Sequence, residues 1–441
     1  MDKSTRRKFL ISSGAAGIAA FAGCGSSDSN GNGGTDGGDG NGGTDGGSGN
    51  GGTDGGSGND PIKIGALGPA GSSIGQDMEA GTQMAIDELN QNGGINGREV
   101  QLVFKDTEND PSVADSAYTE LTLQENVDVT TGGWLGGVIN VIMEGMADSE
   151  TLHICSGGAS MQPNQMIQED YETNKYWFRV AENSITSAKN RFTFLEENWE
   201  DFGWENIAVI YEDLAYNQPQ QEYFEENFSE IGAENVYSQR YASDTSDFTS
   251  LFDEVESSGA DVLYGVMAVG GTPGVTQWYN QQRPFALTGV VSAAQQSSFW
   301  NNVDGACEYF TPPIAAVPGA EITDTTVPFQ EAFREEYDRY PGLTGYYGYM
   351  AVNSFAAAAE EAGTVDSDQL VPVLEEQELQ TVLGTLEYYG RDNQSVHDAI
   401  QDKDHIFWQF FQWQGQNGEG VQEAIWPDDG ATGEYQPPSW L

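Results

Sequence analysis

Residues 61–441 alternate short apolar runs with amphipathic stretches of helical period. The first run, 62–67, ends in Gly68-Pro69-Ala70-Gly71-Ser72-Ser73, and Met78, Ala85 and Leu89 then recur on one face until Asn92-Gly93-Gly94 stops the pattern. This spacing predicts a buried strand and then a helix over 75–92. A strand over 100–104 follows, and Asp110-Pro111 caps a helix carrying Val113, Ala117 and Leu121. Strands at 127–131, 152–155 and 176–180 continue the series, with a helix around 141–146. A second series begins with a helix at 185–199. Strands at 207–211, 236–241, 262–266 and 286–291 alternate there with helices carrying Tyr223, Phe224, Phe228 and Ile231, then Phe248, Leu251, Phe252 and Val255. Such alternation predicts parallel sheets covered on both faces, and two series predict two doubly wound α/β lobes. The later segments, helices at 327–340 and 347–362 and a strand at 406–413, are too few for a third lobe and return to complete the first two.

Ahead of this region the pattern changes twice. Lys3, Arg6, Arg7 and Lys8 precede a small-residue apolar stretch, 10–22, which is too short for a membrane-spanning helix of about 20 residues. Ser4-Thr5-Arg6-Arg7-Lys8-Phe9-Leu10 is similar to a twin-arginine export signal, and Phe21-Ala22-Gly23-Cys24 resembles a lipobox whose cysteine becomes lipidated. Residues 25–60 hold 17 Gly and no Lys, Arg or aromatic residue, and Asn-Gly-Gly-Thr-Asp-Gly-Gly-x-Gly starts at Asn32, Asn41 and Asn50. That composition reads as a flexible tether with a mean span of roughly 30–36 Å. Gly38-x-Gly40-x-x-Gly43 has the letters of a dinucleotide fingerprint, with no strand before it and no helix after it.

Charge and composition narrow the function. Asp and Glu number 69 against 17 Lys and Arg, a formal net charge of −52, and without a basic face nucleic acid is excluded as a partner. Hydrophobic residues at 38% and aromatics at 11% exclude acidic disorder for most of the chain. Three Cys cannot make a disulfide scaffold, and Cys155 and Cys307 read as two buried thiols, although export permits a bridge. The three histidines do not suggest a metal site: His153 lies in an apolar strand, and His397 and His405 read as structural. No nucleophile–base set is visible, so the chain does not read as an enzyme, and no cofactor is implied. Asn227-Phe228-Ser229 and Asn393-Gln394-Ser395 fit the glycosylation pattern.

Certain landmarks then come in a recognisable order. The strand at 62–67 with Gly68 is followed by a helix ending Gly94-Ile95-Asn96-Gly97-Arg98, and then by Asp106 with Asp110-Pro111. Residues 207–215, Gly345-Tyr346-Tyr347-Gly348-Tyr349 and Gly384-Thr385-Leu386-Glu387-Tyr388 follow later. Together they resemble the solute-binding lipoproteins of branched-chain amino-acid-type ABC importers. The resemblance covers essentially all of 61–441 and implies a type I periplasmic-binding fold, two lobes joined by three crossovers that close on a ligand. It implies a permease and ATPase complex as partner and lipid anchoring on the outer face of the cell membrane. The expected division is signal 1–23, lipidated Cys24 and tether 24–60, first lobe 61–182 plus 313–394, and second lobe 183–312 plus 395–441. The acidity with few lysines resembles proteins of extreme halophiles.

Ligands in open α/β sheets sit beyond the carboxyl ends of strands. Loops 132–137 and 156–160 qualify in the first lobe, and in the resembled family these two hold an amino-acid carboxylate. Here the first offers Gly136 and Gly137 without a hydroxyl, while the second offers Ser156 and Ser160. Trp134 is placed either to stack on a ligand or to pack on the next helix. Asp213, Tyr216, Tyr264 and Ser292 follow or end strands of the second lobe. The family's acid for a ligand ammonium falls just past the 286–291 strand, where Ser292-Ala293-Ala294-Gln295 has none. Asp213 is then the substitute, or else a support for its loop. The expected ligand is a small polar solute, a branched-chain or other amino acid, with urea or a short amide as the alternative. A sensory ligand-binding ectodomain is the other reading.

Overall fold

The computed structural model describes residues 60–441 apart from Ala215. The export signal, Cys24 and the tether up to residue 59 lie outside the described residues. Among the described residues no helix is long and apolar enough to cross a membrane.

The first series of apolar runs forms β1 (Ile62–Gly68), β2 (Val100–Asp106), β3 (Val129–Gly132), β4 (His153–Cys155) and β5 (Trp177–Arg179). The strands pair in parallel in the order β2-β1-β3-β4-β5. Helices α1 (Ser73–Gln91), α2 (Pro111–Glu120), α3 (Gly136–Ser149), α4 (Gln162–Glu169) and α5 (Tyr171–Asn174) connect them. Asp110 caps α2 through Oδ1, which accepts from Ser112 N at 2.8 Å and Val113 N at 3.2 Å. Helix α3 is longer than its apolar core suggested, because its first turn is built on Gly136 and Gly137.

The second series repeats the plan. After α6 (Ser184–Asn198) come β6 (Asn206–Glu212), α7 (Asn217–Asn227), β7 (Glu234–Tyr241), α8 (Thr249–Ser258), β8 (Val262–Val266), α9 (Thr272–Gln281), β9 (Ala286–Val290) and the short α10 (Phe299–Asn302). The sheet order is β7-β6-β8-β9, again all parallel. In both sheets the first strand in sequence has neighbours on both sides, so the loops leaving it and the strand across from it diverge. That is the switch point at which open α/β sheets leave a crevice.

The remaining chain completes both lobes. β10 (Pro313–Ile314) joins the second lobe's core, and α11 (Thr326–Tyr337), α12 (Leu343–Ala362), α13 (Ser367–Glu375) and the hairpin β11–β12 (Leu379–Thr381, Gly384–Leu386) return to the first. The antiparallel pair β13 (Gln409–Gln416) and β14 (Glu419–Trp426) ends the fold in the second lobe. The result is a type I periplasmic-binding architecture whose three crossovers lie after β5, around β10 and before β13. Val396, Ala399 and Ile406 pack in the first core, although the expected boundary put residues from 395 on in the second lobe. The reason is local: Asp398 bridges in parallel to Arg179 of β5, extending the first sheet before the chain crosses. Strand β13 accordingly begins at Gln409, three residues later than the apolar run at 406 suggested.

Helices α1 and α12 approach at backbone contact through Gly81 and Gly345. A Cβ on Gly81 would sit 1.9 Å from the Gly345 carbonyl oxygen. Gly81→Ala should therefore force the helices apart and cost about 1–3 kcal/mol. Gly71→Ala, whose Cβ meets nothing within 4 Å, should leave the melting temperature unchanged. Equal melting temperatures for the two variants would contradict this packing.

Candidate functional site

The strand-end loops of the first lobe are held to one another by backbone. Ser156 N donates to Gly132 O at 3.3 Å, and Gly158 N donates to Gly133 O at 3.0 Å. A Cβ on Gly157 would lie 2.0 Å from Gly133 O, and one on Gly158 2.0 Å from Trp134 O, so this contact excludes any side chain there. The loops thereby bring Ser156, Ser160, Gly136 and Gly137 into one region; a Cβ on Gly136 would lie 3.9 Å from Ser160 Cβ. Ser156 is buried, with Thr131 Oγ1 at 3.4 Å, while Gly136 and Gly137 are exposed. Ser160 is half-buried and its Oγ accepts from Gln162 N at 3.2 Å. Leu135, the residue before α3, gives the helix no side-chain cap, so the first amides of α3 are left for another acceptor. Trp134 is half-buried and stacks on no aromatic ring among the described residues.

Beneath these loops lies Arg179, fully buried. Its Nη1 donates to the carbonyls of Gly158 at 3.0 Å and Ser160 at 2.8 Å. Its Nε and Nη2 form a two-pronged bond to Asp398 at 2.8 and 2.6 Å. Asn164 and Asn183 each donate to Asp398 Oδ2 as well, which meets the acid's remaining acceptor capacity. Arg179 thus fixes the 156–160 loop and the start of the first crossover together. Sequence reasoning missed both partners, although a charged residue inside the run Tyr176-Trp177-Phe178-Arg179-Val180 was a signal for a buried pair.

The second lobe divides its expected residues. Tyr216 is half-buried, with its hydroxyl 3.0 Å from Ser187 Oγ and 3.2 Å from Arg191 Nη1. Ser292 is exposed at the start of the turn after β9. Tyr264 is in the hydrophobic core under α7, its ring 4.9 Å from that of Phe224, and burial raises its phenol well above the usual range. Its ring fills the core, while its hydroxyl end, which has no hydrogen-bond partner among the described residues, faces the charge of Arg191 and Tyr216. Asp213 is exposed and its Oδ1 accepts from Arg240 on the edge strand β7 at 2.9 Å, which turns it away from Tyr216.

The two lobes meet at these strand ends. Ser184 N donates to Ala159 O at 3.0 Å, and a Cβ on Gly342 would sit 3.6 Å from Gln296 Nε2. Between them is a buried polar cluster that the sequence did not reveal. Glu182, on the first crossover, accepts through Oε1 from Ser187 Oγ at 3.1 Å and Arg191 Nη2 at 3.2 Å, and through Oε2 from Tyr347 of α12 at 3.4 Å. Trp408, on the third crossover, donates to Tyr347 at 3.0 Å and stacks under Arg191, 5.4 Å from its ring centre.

Burial pushes the Glu182 carboxyl up to about 7, with Arg191, Ser187 and Tyr347 pulling the other way. Desolvation prevails because the acid has left water almost completely. Folded protein therefore holds a proton on Glu182 between pH 4.5 and about 7 that the unfolded chain releases. The stabilisation is fully present below 4.5 and is lost as pH rises through about 7. A shift of this size corresponds to about 3 kcal/mol. The melting temperature should fall between pH 5 and 8 more steeply in the parent than in Glu182→Gln; equal slopes would show that the acid is ionised throughout.

Among the described residues no catalytic set emerges. Gly71-Ser72-Ser73-Ile74-Gly75 has the letters of a nucleophile elbow after β1, but no histidine stands with Ser73. His153 is buried against Trp177, with its ring held by Thr130, and burial pushes it down to about 3. His397 is buried between Trp177 O and Glu375, and His405 bonds Asp402. Cys155 lies in the first core and Cys307 in the second, so they form no bridge. A cavity of about 480 Å³ opens elsewhere, lined among others by Glu197, Thr323, His405, Phe407 and Asp428. None of the strand-end loops contributes to it, so we keep the candidate site at the switch points.

Residues 61–414 match the protein family described as periplasmic binding protein. Leu/Ile/Val-binding protein homolog 1 of Brucella abortus is 25% identical over 322 residues, spanning 71% of this chain and 81% of its own. An ABC transporter substrate-binding protein from Sphaerobacter thermophilus is similar in structure, with a TM-score of 0.69 at 18% identity, covering 84% of this chain and 99% of that one. A solute-binding protein of an ABC transporter from Rhodopseudomonas palustris, solved with 3,4-dihydroxy benzoic acid, gives a TM-score of 0.67 at 15% identity and covers 84% and 98%.

Proposed function

The chain belongs to the periplasmic binding protein family, and from that premise we propose that it is the solute-capturing component of an ABC importer. The observation that carries this is the meeting of the strand ends of two doubly wound lobes, with the Ser156–Ser160 region on one side and Tyr216 on the other. A small solute bound between them contacts both lobes only when they are closed, so its binding energy favours closure. The closed form is then what a permease and ATPase complex recognises. Amino acids enter as candidate solutes through the Leu/Ile/Val-binding relative. The export signal and Cys24 read from the sequence place the protein on the outer face of the membrane, held by lipid and a glycine-rich tether.

The test is a thermal-shift panel in molar salt covering amino acids, urea, short amides and small carboxylates. At least one class should raise the melting temperature in a saturable way. No response from any of them would sink the reading. Electron-dense labelling of intact cells, or mass spectrometry of the mature N-terminus, tests the anchor: a lipid on Cys24 is expected, and an unmodified N-terminus elsewhere would contradict it.

A further inference from the structure

We propose that the cavity beside the crossovers is a second ligand site, distinct from the strand-end loops, and that it takes a neutral polyhydroxylated molecule of sugar type.

The cavity, of about 480 Å³, has the size of an ordinary small-molecule site. Both lobes wall it. Gln380 and Thr385 come from the β11–β12 hairpin of the first lobe, while Glu197 of α6 and residues 427–429 after β14 come from the second. Thr323, between β10 and α11, and residues 403–405, before β13, close it along the crossovers. The hairpin meets the third crossover at backbone contact: a Cβ on Gly384 would lie 2.0 Å from His405 O. An occupant therefore touches both lobes and two of the three connections.

A fixed donor faces this space. Gln409 lines the cavity yet is only 2% exposed. Its Oε1 accepts from Val317 N at 2.8 Å, which settles the orientation of the amide. Nε2 is thereby turned toward Gly430, 3.8 Å from where a Cβ on that glycine would stand, and has no hydrogen-bond partner among the described residues. Leaving such a donor unmet is costly, so the occupant must present an acceptor to it. A second donor is Thr385, whose Oγ1 accepts from Gln380 Nε2 at 2.7 Å and keeps its own proton to give.

Acceptors stand with these donors. Asp404, Asp428 and Asp429 are exposed in the wall, and their carboxylates meet no cation and no side-chain donor among the described residues. The two basic side chains of the wall are already taken: Lys403 pairs with Glu197, and His405 Nδ1 is 2.6 Å from Asp402 Oδ1. An anion would meet unpaired acids and no free cation. A simple cation would satisfy the acids and leave Gln409 unmet. A hydroxyl both gives and accepts, so neighbouring hydroxyls on one molecule answer the carboxylates and the amide together. Phe407, Ile322 and Pro427 offer apolar surface to the C–H faces of such a molecule.

Calorimetric titration of the full chain in molar salt, with glucose, trehalose, sorbitol and spermidine, tests the site. Sugars stabilise folded proteins generally by exclusion from the surface, so saturable heat rather than melting temperature is the readout. At least one of the three hydroxylated compounds should saturate with a Kd of about 1 mM or tighter, and spermidine should bind more weakly. Joint replacement of the exposed pair, Asp428→Ala with Asp429→Ala, should weaken that binding about tenfold at unchanged circular dichroism. Gln409→Glu, which keeps an acceptor for Val317 N, should weaken it by about as much. Ser156→Ala, in the strand-end loops, should leave it unchanged. Absence of saturable heat from glucose, trehalose and sorbitol, or tighter binding of spermidine, would overturn the proposal. So would sugar binding that Ser156→Ala abolishes and the Asp428 and Asp429 replacements spare, which would place the sugar between the strand ends and leave the importer reading standing.

Discussion

Arg179→Ala is expected to lower the unfolding free energy by about 3–5 kcal/mol, because it strands the fully buried Asp398 without its counter-charge. The loss has several parts. Asp398 keeps Asn164 and Asn183 but loses the two-pronged guanidinium. The carbonyls of Gly158 and Ser160 lose a charged donor, and the first crossover loses its tie to the candidate site. Urea titration in molar salt should show an earlier midpoint with an unchanged slope. A double replacement of Arg179 and Asp398 by apolar residues of similar size should recover much of the stability, since neither charge is then stranded. It should not recover ligand binding, because the 156–160 loop remains unanchored. A loss below about 1 kcal/mol for Arg179→Ala would mean that water reaches Asp398.

Removing salt should have the other large effect. The chain carries a net charge of −52. Eleven of the 13 Lys and Arg between residues 61 and 441 are already in ion pairs, so few cations remain to offset the surplus acids. At about 1 M salt the repulsion is screened within roughly 3 Å, while at about 10 mM it reaches roughly 30 Å. Compactness then works against the electrostatic self-energy. Dialysis to low salt should expand or unfold the protein, seen as lost far-UV circular dichroism and a larger radius of gyration. Full native dichroism at about 10 mM salt would contradict the prediction.

How legible all this was depends on the range of each interaction. Parallel strands announce themselves locally, as apolar runs closed by Gly68, Gly132-Gly133 or Gly157-Gly158, and so do caps such as Asp110-Pro111. The lobes and the glycine- and serine-bearing loops could therefore be read in advance. The β13–β14 hairpin could have been found as well: its Asn417-Gly418 turn has positive φ at both residues, a strong short-range signal that went unused. Side-chain direction was not legible. Asp213 and Tyr216 follow the same strand, yet Arg240 on the edge strand draws the acid outward while Arg191 holds the tyrosine inward. Nor were the buried charges, since Arg179 meets Asp398 across 219 positions and Glu182 gathers partners from α6 and α12. The expected placement of 395–406 in the second lobe failed for the same reason: a short bridge to β5 keeps those residues with the first lobe, and nothing in their composition announces it.

Small-angle X-ray scattering tests the central claim, that two lobes close on a solute, most directly. Scattering would be recorded in molar salt, with and without whichever compound gives the largest thermal shift. The account predicts a smaller radius of gyration and a shorter maximum dimension with the compound present, saturating at the concentration that saturates the thermal shift. A saturable thermal shift with superimposable scattering curves would contradict closure between the lobes.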